Sequence, residues 1–535
     1  MTFWRLESSP RLFGGPPVWA SAFASTTFVI FRVALERDPG GIRGMTIQLV
    51  DRRDGGASIK VPSGLRRETG DSDLESVVRT AFTTERQWVG LVRVLLGLLL
   101  ALSGGRADDW PQFLGPKGNG VSGETGLVNR FPTNGPVQVW QKTVGTGYSA
   151  PSVRDGKLVV FHRQGNEEVV ECVDAVNGRS RWRYAYSSRY QDPYGYNNGP
   201  RSSPLLTSNR CITLGAEGKL VCLDLADGSL LWARSTGKDF VVPEAFFGVG
   251  STPVLEGDLL LVMVGGQPDA GMVAFEVATG KTRWQSVGSK TWDGTPKRDW
   301  PGEPPVVWNP EEKSASYSTP VVTTLFGRRL AWCVMRQGLV GLDPTDGRVM
   351  YRRWFRARVD DSVNAMTPVV VGDRVLISSA YFRSGSLLLR AKPEPAPLEE
   401  LWKGTSLEMH WSQPVLIDGH LYGFSGRNEP DARLRCVEFD TGKLKWDRDE
   451  RWASHSSAQP PVFGRGSLIA ADGKLIALGE GGLLGLFVPN ALRCEEISRW
   501  QVPSLHFPCW AGPVLSDKRL YLRCEDRLVC LNLAR

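Results

Sequence analysis

The chain has 535 residues, of which 23% are charged, and it carries a formal net charge of +7. Residues 1–107 contribute 14 basic and 10 acidic side chains, so the net charge of residues 108–535 is only +3. No basic run with interleaved aromatic residues occurs, which excludes nucleic acid as the expected partner.

The first 85 residues show no repeat and little hydrophobic periodicity. The next segment, 86–107, has the three parts of a signal peptide, a basic region, an apolar run and small residues at the cleavage position: Arg86, Arg93, Val94–Leu102, Gly105 and Ala107. The apolar run is too short to span a bilayer. We therefore expect an exported protein, periplasmic or extracellular, with no transmembrane span in the mature chain.

A signal peptide normally begins a chain, whereas this one follows 85 residues. Residues 1–85 are therefore interpreted as a doubtful extension that arises from a misassigned start. The alternative is a cytoplasmic extension with a short anchor. Residues 108–535 then form the mature protein.

A nine-residue phrase recurs in the mature part, with an acid first, glycine in the middle and an aromatic residue last: Asp174–Trp182, Asp224–Trp232, Glu276–Trp284, Asp343–Tyr351 and Glu438–Trp446. Repeats of about 50 residues with strand-like flanks indicate a propeller or solenoid. The acid and glycine are turn residues, and the tryptophan is expected to pack between blades with its indole N–H bonded to a neighbouring carbonyl.

A second phrase, most often Ser-x-Pro, precedes each repeat and opens an apolar run that ends in a tight polar turn. Its prolines are Pro151, Pro204, Pro253, Pro320, Pro368, Pro414, Pro460 and Pro513. Proline at the first position of a strand costs no ladder hydrogen bond, and Asp-Gly between apolar runs marks a hairpin. The pattern predicts an all-β, eight-bladed β-propeller of four-stranded antiparallel blades.

The aromatic residue Trp140 lies before the first opener, and the last repeat ends at Cys530–Leu533 without its closing aromatic. We predict that the N-terminal strand Val137–Gln141 pairs with Leu528–Leu533 and closes the ring. Such closure leaves only short, protected edges.

Nine cysteines are present, and four of them share one repeat position that Ala274 and Gly341 fill elsewhere: Cys172, Cys222, Cys436 and Cys530. A slot of this kind is small and buried, so most cysteines are expected to be free and structural. Bridges between Cys211 and Cys222, or between Cys524 and Cys530, stay open. The five scattered histidines are expected to be surface or loop residues, and no metal site is predicted.

The residue three positions before each opener proline is predicted to lie at one mouth of the central channel. Five of these residues form a candidate ligand site, because aromatic and arginine side chains suit planar or cationic ligands: Tyr148, Arg201, Tyr317, Trp411 and Trp510. The insertion Tyr194–Arg201 adds Tyr196 and Asn198. The alternative is that these side chains only plug the funnel.

The repeat resembles the PQQ-type (pyrroloquinoline quinone) propeller repeat of quinoprotein alcohol dehydrogenases and of the outer-membrane assembly factor BamB. Three segments are similar to a group of exported bacterial PQQ-like proteins that is numerous in planctomycetes: Asp109–Ser122, Tyr194–Arg201 and Gly466–Ile476. The resemblance covers residues 109–535 and implies the fold.

The resemblance leaves the activity open. In the dehydrogenases a vicinal Cys-Cys disulfide caps the quinone over Ca²⁺, and this sequence has neither adjacent cysteines nor a Cys-x-x-Cys-His haem motif. Calcium candidates are Asp360, Asp361 and Asn364. The assembly factor is a lipoprotein, but no cysteine follows the apolar run here.

We therefore expect a non-catalytic binding or assembly scaffold of the cell envelope, monomeric, with a protein or envelope-polymer partner and no assured cofactor. The alternative is a quinoprotein alcohol or sugar dehydrogenase that uses PQQ with Ca²⁺. A sensor that binds a small ligand without turnover is a third class.

Overall fold

The chain divides into two compact units, Met1–Leu102 and Ser103–Arg535. The computed structural model describes the backbone of four strands in the first unit and, in the second, residues 109–535 except 243–245, 267–268, 288–315, 358, 360–361, 394–396, 429–431 and 449–461. The predicted signal peptide and the opener Pro460 lie outside the described residues.

The first unit contains one antiparallel sheet whose strands follow in chain order: β1 (Trp19–Ala22), β2 (Val29–Asp38), β3 (Gly41–Asp51) and β4 (Ser58–Val61). The sequence predicts no elements in this part, because its apolar residues lack a clear period. The interpretation of residues 1–85 as a doubtful extension stays a prediction.

The second unit is an eight-bladed β-propeller, which confirms the predicted fold. Blades 1 to 4 are β6 (Ser152–Arg154), β7 (Lys157–Gln164), β8 (Glu167–Asp174), β9 (Ser180–Ser187); β10 (Leu205–Leu206), β11 (Arg210–Leu214), β12 (Lys219–Asp224), β13 (Leu230–Ser235); β14 (Val254–Glu256), β15 (Leu259–Gly266), β16 (Ala270–Glu276), β17 (Thr282–Ser286); and β18 (Val321–Leu325), β19 (Arg328–Val334), β20 (Gly338–Leu342), β21 (Val349–Trp354).

Blades 5 to 8 are β22 (Val369–Val371), β23 (Arg374–Ser379), β24 (Gly385–Arg390), β25 (Glu399–Gly404); β26 (Val415–Ile417), β27 (His420–Ser425), β28 (Arg433–Glu438), β29 (Leu444–Arg448); β30 (Ser467–Ala471), β31 (Lys474–Leu478), β32 (Leu483–Val488), β33 (Glu495–Gln501); and β34 (Val514–Ser516), β35 (Arg519–Arg523), β36 (Arg527–Asn532), β5 (Val137–Thr143). Two short helices are described, α1 (Thr236–Asp239) and a 3₁₀ turn at Tyr381–Arg383. No helix in the described residues is long and apolar enough to cross a membrane.

The strand that completes blade 8 comes from the N-terminal side of the propeller. β5 pairs antiparallel with β36, and Cys530 lies opposite Trp140 in the register. The predicted pairing is therefore observed. That this strand seals the ring stays a prediction.

The repeated aromatic residues join each blade to the next. Five indole N–H groups donate to the carbonyl that follows the acid of the next blade's phrase: Trp140 to Ala175 at 3.1 Å, Trp182 to Leu225 at 3.1 Å, Trp232 to Val277 at 2.9 Å, Trp284 to Pro344 at 2.9 Å and Trp402 to Phe439 at 2.9 Å. Tyr351 makes the equivalent bond to Lys392 through its hydroxyl, at 2.7 Å. The predicted packing role of the aromatic residue is thus confirmed, and its partner lies one blade further on.

The repeated glycine is the surface against which the tryptophan of the preceding blade packs. Gly228 has φ +77°, and a Cβ there would lie 2.6 Å from Cε3 of Trp182. Trp500 packs in the same manner against Gly135, which precedes β5. Blade 7 therefore docks on the N-terminal segment as other blades dock on their neighbours.

Two glycines with similar positive φ values make it possible to measure the effect of tryptophan packing apart from the effect of backbone strain. Gly419, in a turn of blade 6, has φ +73°, and a Cβ there would meet no atom of the described residues within 4 Å. We expect Gly419→Ala to cost about 1 kcal/mol of unfolding free energy because alanine disfavours positive φ. Gly228→Ala should cost about 3 kcal/mol because it also displaces the indole of Trp182. Guanidinium denaturation measures both values, and equal costs would contradict the docking role.

In blades 2 to 5, the residue before the opener proline links its blade to the next one around the axis. Its backbone N–H donates to the side chain of the corresponding residue in the next blade: Ser203 to Thr252 at 3.1 Å, Thr252 to Thr319 at 3.3 Å, Thr319 to Thr367 at 3.3 Å and Thr367 to Gln413 at 2.8 Å. The opener phrase therefore starts a strand and also connects blades 2 to 6.

All nine cysteines are free, and the four that share a repeat position are fully buried on third strands. Cys172 lies opposite Trp182 in the register, and Cys222 lies opposite Trp232. The small buried position on the third strand thus lies opposite the tryptophan on the fourth strand of the same blade. Neither of the two bridges that the sequence leaves open is formed.

Candidate functional site: an aromatic surface at one mouth of the ring

The candidate site lies at the end of the blades where the fourth strand of one blade connects to the first strand of the next. In an antiparallel blade the turn between the second and third strands lies at this same end. We call this end the mouth face. The opposite face carries the acid–glycine turns and the hairpins between first and second strands.

Trp510, in the loop before β34, is the centre of a group of rings on the mouth face. Its ring centroid lies 4.9 Å from that of Tyr148, 5.6 Å from that of Tyr196 and 6.2 Å from that of Trp411. Four of the predicted site residues are therefore brought together, although they come from four separate loops.

Two charged residues hold Trp510 in place. The indole Nε1 donates to Glu480 Oε2 at 2.9 Å, and the guanidinium of Arg465 lies 5.0 Å from the ring centroid. Arg465 also pairs with Glu480 at 2.8 Å. Both come from loops of blade 7, and the sequence does not single them out.

Tyr317 lies on the other side of the mouth and is connected to Trp510 through two further rings. Tyr196 is 5.8 Å from Phe247, and Phe247 is 5.6 Å from Tyr317. The Tyr317 hydroxyl accepts a hydrogen bond from the Phe247 N–H at 2.7 Å. Burial raises the pKa of Tyr317, so the phenol stays protonated.

These contacts form one continuous series, Trp411–Trp510–Tyr196–Phe247–Tyr317, which we call the aromatic chain. It runs from the loop before blade 6 to the loop before blade 4. Four of its five residues, all except Phe247, belong to the predicted ligand site, and both that site and the alternative plug stay predictions.

Arg201 and Asn198 hold the insertion that carries Tyr196. Arg201 pairs with Asp192 at 2.7 Å, and its guanidinium lies 5.6 Å from the Tyr148 ring. The Asn198 side chain accepts from the Asp192 N–H at 2.7 Å. Asn198 therefore stabilises the loop through this bond. Burial raises the pKa of Tyr148 to about 12.

The three other mouth positions in the sequence pattern have no large side chain. Gly250 leaves room for a ring, since a Cβ there would lie 2.6 Å from Cδ1 of Tyr317. Ala365 contributes only a carbonyl, 3.4 Å from the Gln413 side-chain amide. Ser457 lies outside the described residues.

Most of the exposed aromatic side chains in the described residues lie on the mouth face. In the described residues, five aromatic side chains are substantially exposed: Tyr194 52%, Tyr196 43%, Phe326 48%, Phe382 48% and Phe507 52%. Phe326 is in a hairpin of the opposite face, and the other four are on the mouth face. Phe507 lies 5.7 Å from Trp510, and Tyr194 lies 5.2 Å from Phe247, so both extend the aromatic chain to solvent.

Two carboxylates in the described part of the mouth already have protein partners. Calcium needs several converging oxygen ligands, but Asp192 and Glu480 are each paired with an arginine. The side chain of Asn364 donates to three carbonyls, of Met335, Arg336 and Phe355, at 2.9–3.2 Å. The other two calcium candidates, at positions 360 and 361, lie outside the described residues.

One histidine differs from the prediction. His162 is fully buried on β7, where its Nδ1 accepts from the Gly145 N–H at 2.9 Å, and burial lowers its pKa. The expectation of a surface or loop position is wrong for this residue. His506 lies in a mouth-face loop beside Cys524 and Asp526, a grouping that sequence spacing does not reveal.

Comparisons with known proteins agree with the propeller. The family model described as "Outer membrane protein assembly factor BamB" matches residues 121–299 and 207–448. The structure of a quinohemoprotein alcohol dehydrogenase from Comamonas testosteroni is similar with a TM-score of 0.52 at 12% identity, covering 80% of this chain and 81% of that chain. BamB from Moraxella catarrhalis gives a TM-score of 0.48 at 14% identity, covering 74% of this chain and 97% of that chain. No curated protein matched the sequence.

Proposed function

The chain belongs to the family of the outer membrane protein assembly factor BamB, and from this premise we propose that it is a non-catalytic scaffold that binds a protein partner on the mouth face. The proposal includes export to the cell envelope, which the signal-peptide pattern of residues 86–107 supports. Family membership supports a protein partner, because the family is described as an assembly factor.

The observation that carries the proposal is the exposed aromatic surface around Tyr194, Tyr196 and Phe507. Exposed aromatic residues that form one contiguous group are typical of protein interfaces, where tyrosine, tryptophan and arginine supply most of the binding free energy. The rings beneath them are fixed by packing and hydrogen bonds. Binding would therefore order few side chains, which favours affinity.

The series of rings across the mouth favours a large partner over a small ligand. Small-molecule sites are concave and enclose most of the ligand surface. Here Tyr196 contacts both Trp510 and Phe247 across the mouth and is itself 43% exposed to solvent. A partner that covers the aromatic chain from outside fits this geometry.

The double substitution Tyr194→Ser/Tyr196→Ser should weaken partner binding at least about tenfold, since interface aromatic residues contribute about 2 kcal/mol each. Wild-type protein, the double variant and Phe326→Ser are immobilised and incubated with envelope extract of the native organism. Phe326 is the matched control, an equally exposed aromatic residue on the opposite face. We expect one protein to be retained by wild type and Phe326→Ser and lost with the double variant.

Two further measurements separate the other functions. Pelleting with purified envelope polymer tests a polymer partner, and dye-linked oxidation of alcohols and sugars after addition of PQQ and Ca²⁺ tests the dehydrogenase. Robust turnover would overturn the scaffold proposal. Equal retention by all three immobilised proteins would remove the mouth face as the binding surface, and Trp510→Ala then shows whether the buried part of the aromatic chain matters.

A further inference from the structure

Four side chains with metal-ligating atoms meet where two loops of blade 8 come together. His506 and Cys509 come from the loop between β33 and β34, and Cys524 and Asp526 come from the turn between β35 and β36. The ligand atoms of His506, Cys524 and Asp526 all lie within 4.8 Å of one another. The two loops are 15 to 20 residues apart in the sequence. They meet because the intervening hairpin returns the chain to the same end of the blade.

The separations agree with those between ligands of one metal ion. Bonds of about 2.0–2.3 Å in tetrahedral geometry place ligand atoms about 3.3–3.8 Å apart. His506 Nε2 lies 2.8 Å from Asp526 Oδ1, and the Cys524 sulfur lies 3.6 Å from the same oxygen. The third separation, between His506 Nε2 and the Cys524 sulfur, is at most 4.8 Å, so the three atoms are close enough to share one ion after small side-chain movements.

Cys509 lies next to this group and supports the loop that carries His506. Its thiol donates to the His506 carbonyl at 3.1 Å. Cys509 and Cys524 are both buried, whereas the side chains of His506 and Asp526 are 55% and 44% exposed. An ion can thus enter from solvent on the imidazole and carboxylate side.

Hydrogen bonds already hold the loop backbone and Nδ1 of His506, the imidazole nitrogen that would not bind the ion. His506 Nδ1 lies 3.0 Å from the Phe507 carbonyl, which leaves Nε2 as the coordinating nitrogen. The Cys509 N–H donates to the Glu480 carbonyl at 2.8 Å. The cluster therefore needs no rearrangement of the chain.

We propose that His506, Cys524 and Asp526 form a binding site for a divalent transition metal ion of the Zn²⁺ class. A thiolate together with an imidazole and a carboxylate is a ligand set that such an ion prefers and that Ca²⁺ or Mg²⁺ does not. The bound ion joins the loop that carries Phe507 and Trp510 to the turn of the last hairpin. The site stands independently of the proposed scaffold function.

Zn²⁺ is titrated calorimetrically into the reduced, metal-free protein, with Co²⁺ as a spectroscopic probe of thiolate coordination. We expect one equivalent to bind with a Kd of about 1 µM or lower. His506→Ala and Cys524→Ser should each weaken binding about 100-fold or more. His420→Ala and Cys494→Ser are matched controls, a histidine of β27 and a partly buried cysteine outside the cluster, and both should bind as wild type.

Three results would overturn the site. These are no saturable Zn²⁺ binding, binding that His506→Ala leaves unchanged, or a Cys509–Cys524 disulfide in protein that has been kept free of oxidant. His506→Ala alters an exposed side chain, so it keeps the test valid if Cys524→Ser fails to fold. Protection of Cys524 from alkylation by Zn²⁺ gives a second readout that is independent of any activity.

Discussion

A chain that lacks residues 108–145 as well as 1–107 is expected to lose the cooperative unfolding transition that a chain lacking only residues 1–107 retains. The deletion removes β5, so β36 loses its partner strand along the register from Val137 to Thr143. It also removes Trp140, whose indole docks on blade 1, and Gly135, on which Trp500 of blade 7 packs. Blade 8 therefore loses these contacts with both of its neighbours, blade 7 and blade 1.

The expected loss is comparable with the whole stability of a domain. Five large apolar side chains of the deleted segment belong to the core that surrounds blade 8: Trp110, Leu127, Phe131, Trp140 and Val144. Burial of such side chains stabilises by about 2 kcal/mol each, so about 10 kcal/mol is removed. Native domains are stable by about 5–15 kcal/mol.

Calorimetry and near-ultraviolet circular dichroism of the two truncated chains measure this effect. The point variant Trp140→Ala, which keeps β5, should cost about 3–5 kcal/mol and retain a single transition. If the longer deletion unfolds at the same temperature as the shorter one, β5 does not seal the ring. The predicted closure would then be wrong even though the strand pairing is present.

Arg523→Met is expected to destabilise the propeller by about 3–5 kcal/mol. Arg523 is fully buried at the end of β35, and its guanidinium donates to the carbonyls of Ser149 at 2.7 Å, Phe161 at 2.8 Å and Gly145 at 3.0 Å. Burial lowers its pKa to about 10. Methionine fills much of the volume but leaves the three carbonyls without these donors.

Arg519→Met is the matched control for this substitution. Arg519 lies at the other end of the same strand, where it pairs with Asp517 in a partly exposed position. Its loss should change the unfolding free energy by no more than about 0.5 kcal/mol. Guanidinium denaturation of both variants gives the comparison, and similar small values would show that the buried guanidinium does not hold blade 8 to blade 1.

The repeat pattern predicts the blade count and the docking role of tryptophan because both depend on residues that recur at fixed spacing. The local sequence does not show that each tryptophan packs against the blade that follows its own. Trp182 ends the phrase that begins at Asp174, yet its partner carbonyl is that of Leu225. Only the three-dimensional stacking of blades establishes this offset.

The site is predicted in part. The position three residues before the opener proline identifies Tyr148, Tyr317 and Trp510, because the opener fixes the level of each first strand along the axis. Phe247 and Glu480 are missed since their loops have no repeat register. The metal-ligand cluster is missed for a related reason, as His506 and Cys524 converge only when the last hairpin is formed.

The N-terminal position of β5 has a consequence for how the protein is made. The side chain of Arg535 donates to the carbonyl of Leu127, 408 residues earlier in the chain. Blades 1 to 7 can each form from contiguous sequence as it emerges during synthesis. β5 must wait for β36, so this strand stays unpaired until residues 527–532 have been synthesised. Completion of the propeller is therefore the step with the highest contact order, and the nascent chain is most exposed to aggregation at this strand.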